Sequence, residues 1–360
     1  MRSINLFIFL IVFTSLLLSC REGNDRKNPM EHICIPFNQI MTLNVGEGEL
    51  IPLETTDESL VSYVTNVEIN GDELILSSGN SVLKFDIKGR YLSNIGAVGH
   101  SNREYLDTRN MFISENHICV FDWSSHKVNF YDASGKYLSR IDIQPNDDDI
   151  YPSTLYKLND GTFLSNNCYQ GSDVSTPAFS VFSPSGELLY HIKGLEKKDG
   201  TTHNELRYST STNTLLYAEA FCDTIYRVLP NEMKAVKAYY IDFGEHKFTE
   251  EEKSGKDFVD MCAYSNIENN IKTKASTIYC CYETVDKMMF VFVYQKIHFV
   301  IYDKNKHSIR VYRLEDKSNR LNPLLFAKYT DDEVFFLCED LENINNNNPV
   351  LVKMPYKTIF

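Results

Sequence analysis

The sequence predicts an all-β chain closed into a six-bladed β-propeller of four-stranded blades, with a short helical insertion near residues 249–264. Three observations carry this. First, a hairpin is written repeatedly. VLKFDIKGRYLSNI (82–95) returns as VNFYDASGKYLSRI (128–141) and as FSVFSPSGELLYHI (179–192), each a strand, a turn holding Gly89, Gly135 or Gly186, and a second alternating strand. Second, a further pair of β-rich runs precedes each hairpin, as in VTNVEINGDELILSS (64–78), RNMFISENHICVFDW (109–123) and STLYKLNDGTFLSNN (153–167). Third, the apolar content is 43%, with 22 Tyr and 22 Phe beside a single Trp, the residue choice of strands whose side chains pack in layers. A unit of four strands in roughly forty-five to fifty residues is the period of a propeller blade. One such sheet cannot bury both faces alone; radial stacking buries them, and closure of the ring removes the exposed edges.

Taken in order, the chain begins with a segment foreign to that fold. Met1-Arg2 precedes the apolar run INLFIFLIVFTSLLL (4–18), too short to span a bilayer and typical of a signal-peptide core. The run stops at Leu17-Leu18-Ser19-Cys20, which resembles the lipobox of bacterial lipoproteins. That resemblance implies cleavage of residues 1–19 and a lipid anchor on Cys20; two or three acyl chains hold a protein stably at a membrane. Residues 20–30 then read as a polar tether and 31–360 as one propeller domain. Within it, residues 31–56 are expected to close the last blade against the C-terminus. The blades themselves are expected near 62–96, 105–143, 152–194, 205–244, 275–314 and 322–360. Two hairpin copies are looser: in 223–244 Asn231 stands where the glycine was, and in 298–314 Lys306 lies near the turn. Between them, Thr249 with Glu252 three residues later is a capping-box pattern, and three glutamates in the first turn suit the helix dipole. Phe258, Val259, Met261 and Cys262 are expected to give that insertion an apolar side.

Composition narrows function by exclusion. A formal charge of −13, spread along the chain, argues against a nucleic-acid groove and against charge-driven adhesion to an anionic membrane. No G-x-S-x-G, H-E-x-x-H, phosphate-binding loop or dinucleotide glycine pattern occurs, so no catalytic residue, metal or cofactor is expected. Beyond Cys20, eight cysteines (34, 119, 168, 222, 262, 280, 281, 338) lack metal spacing and mostly sit in apolar runs, as small hydrophobes do; an exported compartment permits a disulfide among them. Histidines in HNEL (203–206) and GEHKF (244–248) have no second ligand nearby. Asp147 and Asp149 in NDDDI (146–150) offer oxygens for Ca²⁺ but lack EF-hand spacing, so a solvated loop is the expectation. NINNNNP (344–349) reads only as a turn.

Laid out this way, the chain resembles the six-bladed β-propeller lipoproteins of gut Bacteroidetes, relatives of NHL-type propellers. The residues that carry the likeness are FDIKGRYLSNIG (85–96), Gly99, Glu104-Tyr105, YDASGKYLSRI (131–141) and DTIYRV with YYIDFG (223–244). Where that family reads G-x-x-G-x-G-P-G-E-Y, this chain keeps Gly96, Gly99, Glu104 and Tyr105 and writes Ser101-Asn102-Arg103 in place of Gly-Pro-Gly. The resemblance implies the fold and an envelope address, and brings no catalytic residues with it. In the joining loop GAVGHSNREYLD (96–107), Arg103, Glu104 and Tyr105 combine a bidentate donor, a carboxylate and an aromatic plate, groups that suit sugars or peptides, or that fix the blade junction. The expected function is a non-catalytic binding or scaffold propeller, anchored by lipid at the outer membrane on its periplasmic or outer side, for a protein, peptide or glycan partner. The alternative is a glycan-directed lyase or hydrolase with its site at the channel mouth. Propellers host both.

Overall fold

A computed structural model describes residues 30–108, 110–145, 150–169, 176–197, 207–209, 214–256, 258–329, 333–342 and 348–359. Six antiparallel sheets form a ring of blades. Blade one is Val64–Asn70, Glu73–Ser78, Ser81–Asp86 and Tyr91–Asn94; blade two is Asn110–Ser114, His117–Asp122, Lys127–Tyr131 and Tyr137–Asp142. Blade three is Ile150–Lys157, Phe163–Tyr169, Phe179–Phe182 and Leu188–His191; blade four is Arg207–Ser209, Thr214–Ala218, Thr224–Leu229 and Lys234–Asp242. Blade five is Ser276–Glu283, Lys287–Tyr294, Lys296–Asp303 and Ser308–Glu315, and blade six takes Leu321–Tyr329, Glu333–Asp340 and Val350–Pro355 from the end of the chain.

The expected closure is present. A strand from the start of the domain, Glu49–Pro52 (β3), pairs antiparallel with Val350–Pro355 and becomes the outer strand of blade six. The same segment does more than close the ring. Glu31–Cys34 (β1) adds a parallel fifth strand to the outer edge of blade four, and Met41–Asn44 (β2) does so on blade five. Residues 31–52 are thus a strap across the rims of three consecutive blades. Asn348, in a stretch that reads only as a turn, secures the join. Its side-chain oxygen accepts from Val61 N at 2.8 Å, and its amide donates to the carbonyls of Glu54 and Ser59 at 2.7 Å each.

The core lies between the blades. Six buried clusters correspond to the six blade-to-blade interfaces. His117–Asp122 shows why its sequence is a continuous apolar run. Ile118 and Val120 pack toward blade one, while Cys119 and Phe121 pack toward blade three. Alternate residues of one strand serve two different cores, as the period-two pleat requires.

The repeated hairpin is a clamp between blades. The Asp86 carboxylate accepts from Lys88 N and Arg90 N, and Gly89, at φ +86°, turns its carbonyl to accept from Glu54 N in the preceding blade at 2.8 Å. Gly135 accepts likewise from Gly96 N, and Gly186 from Gln144 N. In blade four the left-handed position belongs to Met233 (φ +52°) rather than Asn231, and in blade five to His307 (φ +49°), one residue past Lys306. The turn keeps its geometry without glycine, so its sequence signature fades there.

Strand directions divide the ring into two faces. First-to-second and third-to-fourth strand connections share one, the turn face, where Ile87 N donates to Asp72 O and Lys304 N to Asp286 O. The remaining connections share the opposite, loop face. The insertion lies on the loop face as three helices rather than one: Glu250–Lys253 (α1), Phe258–Ser265 (α2) and Glu268–Thr273 (α3). The capping box is formed in full, with Thr249 accepting from Glu252 N and Glu252 accepting from Thr249 N. Of the expected apolar side, Met261 is buried and Cys262 half-buried. The side chains of Phe258 and Val259 lie outside the description.

Candidate functional site

Between blades four and five a pocket of about 820 Å³ is lined by β1 together with Arg227, Ala238, Tyr239, Glu283, Tyr302, Lys304, His307 and Ile309. Each polar side chain is placed by a strand. Glu283 ends the inner strand of blade five at the turn face, and blade packing leaves it 1% exposed. A lone carboxylate there would be costly. It is matched by Arg227 Nη2 at 2.7 Å, Lys304 Nζ at 2.9 Å and the Tyr239 hydroxyl, all donating to one carboxylate oxygen, Oε1. Above them β1 brings Glu31, whose carboxylate accepts from the Tyr302 hydroxyl at 2.5 Å and lies 3.3 Å from His307 Nδ1.

The electrostatics fix the protonation of the floor. Burial alone would raise the Glu283 carboxyl. Arg227, with hydrogen bonds from Tyr239 and Lys304, holds it instead below the usual carboxylate range. Burial, then the adjacent Glu283 charge, pushes the Tyr239 phenol far up; burial, then Glu31, does the same to Tyr302. The pocket therefore presents a fixed carboxylate and fixed phenols. Two cations face one buried anion.

The sequence-derived candidates are on the other face. Tyr105 is 1% exposed; its hydroxyl donates to Ile95 O at 2.6 Å and accepts from Val82 N at 3.3 Å, and burial pushes its phenol up to about 12. The Glu104 carboxylate turns back into its own loop to accept from Ser101 N at 2.8 Å, a bond that lowers its pKa. A Cβ on Gly99 would meet Glu104 Oε2 at 2.2 Å, so the fit of this carboxylate needs a glycine there. Arg103 is exposed, and its carbonyl accepts from the Tyr131 hydroxyl. The loop brings the three backbones together, with Arg103 exposed, Glu104 half-buried and Tyr105 buried.

Sequence reasoning missed the pocket because its residues come from three distant stretches, and β1 supplies a wall. The one local signal is Glu283 itself, a carboxylate closing the apolar run IYCCY. Other expectations find their places. His246 is packed against Phe37 and Tyr294, with Nδ1 2.8 Å from Thr273 O. Cys119, Cys280, Cys281 and Cys338 are buried and Cys34, Cys222 and Cys262 are not; all seven are free thiols. Among the described residues no cluster of three or more His, Cys, Asp or Glu could hold a metal. Asp147, Asp149 and Cys20 lie outside the described residues, as does the side chain of Cys168. No helix among the described residues is long and apolar enough to cross a membrane.

Comparisons place this architecture among known proteins. A family model described as "Domain of unknown function (DUF4934)" matches residues 45–356. A Bacteroides fragilis protein named as exported superposes with a TM-score of 0.67 at 18% identity, over 91% of this chain and 99% of its own. A Bacteroides vulgatus member of the DUF4221 family superposes with a TM-score of 0.58 at 11% identity, over 88% of this chain and 99% of its own. At these identities the likeness is one of fold. No curated protein matches the sequence.

Proposed function

The chain belongs to the DUF4934 family, and from that premise we propose that it is an exported envelope protein, tethered by lipid at Cys20, acting as a non-catalytic binding propeller for a protein, peptide or glycan. One observation carries the reading. Three polar groups between blades four and five are held away from neutral titration, the Glu283 carboxyl lowered beside Arg227 and Lys304, the Tyr239 and Tyr302 phenols raised by burial. A general acid or base needs a pKa near the working pH. Fixed charges and phenols suit recognition. The signal-peptide pattern ending at Cys20 and the exported neighbour from Bacteroides fragilis support the address.

The test is a screen of the mature chain on glycan and peptide arrays, run beside turnover assays on mixed polysaccharides. Capture without turnover is the expected result, and turnover refutes the reading. Metabolic labelling with an acyl probe tests the anchor: wild type is labelled and Cys20→Ala is not; equal labelling removes it.

A lyase or hydrolase is the second reading, favoured by one observation: two carboxylates, two histidines, two tyrosines and an arginine line a single pocket. It expects release of reducing ends from polysaccharide, abolished by Glu283→Gln.

A further inference from the structure

The pocket floor holds more positive charge than the protein itself uses. Arg227 spends Nη2 on Glu283, and among the described residues its Nε and Nη1 have no protein partner, while the guanidinium carbon lies 5.8 Å from the Tyr239 ring centre. Lys304 gives two of its three protons to Glu283 Oε1 and Thr284 O. Both cationic side chains keep a fifth of their surface exposed, whereas the Glu283 side chain keeps 2%. The anion is therefore the sealed member of the cluster, and both cations line the cavity. Tyr239 and Tyr302 add aromatic surface, Ile33 and Ile309 apolar walls. A volume near 820 Å³ is ample for a ligand of one or two sugar or amino-acid units. At the rim stands the opposing charge, Glu31, carried by β1.

We propose that this pocket binds a small ligand through its carboxylate, received by Arg227 and Lys304 between Tyr239 and Tyr302, with Glu31 on β1 opposing it at the rim. An open guanidinium N–H and the third ammonium proton can each give a carboxylate a charge-assisted hydrogen bond. A neutral analogue gains neither the pairing nor the compensation of the residual charge. The proposal rests on the reading of the chain as a binding propeller. Two sources share this chemistry, a sugar acid and a free peptide C-terminus.

The experiment is calorimetry on the mature chain with four probes: D-glucuronate and acetyl-Ala-Ala, each against its neutral counterpart, D-glucose and acetyl-Ala-Ala-amide. At least one acid binds about tenfold tighter than its neutral counterpart, and the better acid names the source. Arg227→Gln weakens that acid by about tenfold or more. Because Arg227 also steadies Glu283, this variant can lose its fold, and the decisive variant is Glu31→Gln. Removing the rim charge tightens the acid by roughly fivefold, a gain that misfolding cannot produce. Equal affinity for acid and neutral probes, no binding of any probe, or a Glu31→Gln variant that binds no better would each overturn the site. A chain that captures an array partner yet ignores all four probes loses this pocket assignment and keeps the binding reading. Turnover of polysaccharide refutes that reading whatever the probes do.

Discussion

Gly186 shows how much a single position in the repeat carries. Its φ is +90°, and a Cβ there would meet Asp142 O of the preceding blade at 2.1 Å. Two constraints coincide, a left-handed turn and backbone contact with a neighbour. Gly186→Ala is expected to cost about 2–4 kcal/mol in denaturant unfolding. Gly71, at φ +58° with nothing within 4 Å of a Cβ, provides the contrast; Gly71→Ala bears only the conformational term, about 1 kcal/mol. Equal losses would mean that the interblade clamp contributes nothing. His298 makes the matching point about charge. It is 1% exposed, stacks on Phe292 at 4.9 Å, and burial lowers its pKa to about 4. Below the unfolded pKa of about 6.5 the unfolded chain takes a proton that the folded chain refuses. Its contribution is therefore complete above that value and is lost as pH falls toward 4, to a total of roughly 3 kcal/mol. His298→Phe should flatten stability across this window. An unchanged pH slope would assign the acid sensitivity to other groups.

At the scale of elements, the strap joins local pairing to the pocket. Ile33 and Ile35 are 2% and 7% exposed, and their burial against blades four and five contributes about 2–4 kcal/mol. A chain beginning at residue 36 is expected to keep its far-ultraviolet signature, lose stability by that order, and open the wall of the pocket; unchanged stability would show that β1 is only loosely laid on. The same scale shows what the sequence made legible. The α1 capping box was visible because Thr249 and Glu252 interact three residues apart, and the blades because strands and turns recur. β1 and β2 were not, since EHIC and MTLN are four residues long, and what makes them strands is a partner edge more than two hundred residues away. The pocket was hidden for that reason too. Arg227, Glu283 and Lys304 each read as an ordinary charge at a strand or turn until the ring brings them onto one oxygen. The loop candidates divide: Tyr105 has the composition of a ligand plate, yet burial and two backbone partners commit it to the blade junction, while Arg103 stays exposed.

For the whole molecule, closure depends on a few residues at the two ends of the domain. The Asn348 side chain satisfies Val61 N and the carbonyls of Glu54 and Ser59 from a site 2% exposed. Asn348→Ala leaves the buried Val61 N and Ser59 O without that partner, and Glu54 O with the Ser59 hydroxyl, a loss expected near 3 kcal/mol and roughly 5 °C in Tm. A Tm within one degree of wild type would show that water replaces the amide. Closure of this kind also sets a timetable. Glu54 leaves the ribosome almost three hundred residues ahead of Asn348. The front edge of blade six must therefore wait, unpaired, for the last segment of the chain to arrive. Contacts so remote in sequence form slowly and late. A polypeptide stopped before Val350–Pro355 would lack the strand that joins β3 to the rest of blade six, so the ring can close only once that strand has been made.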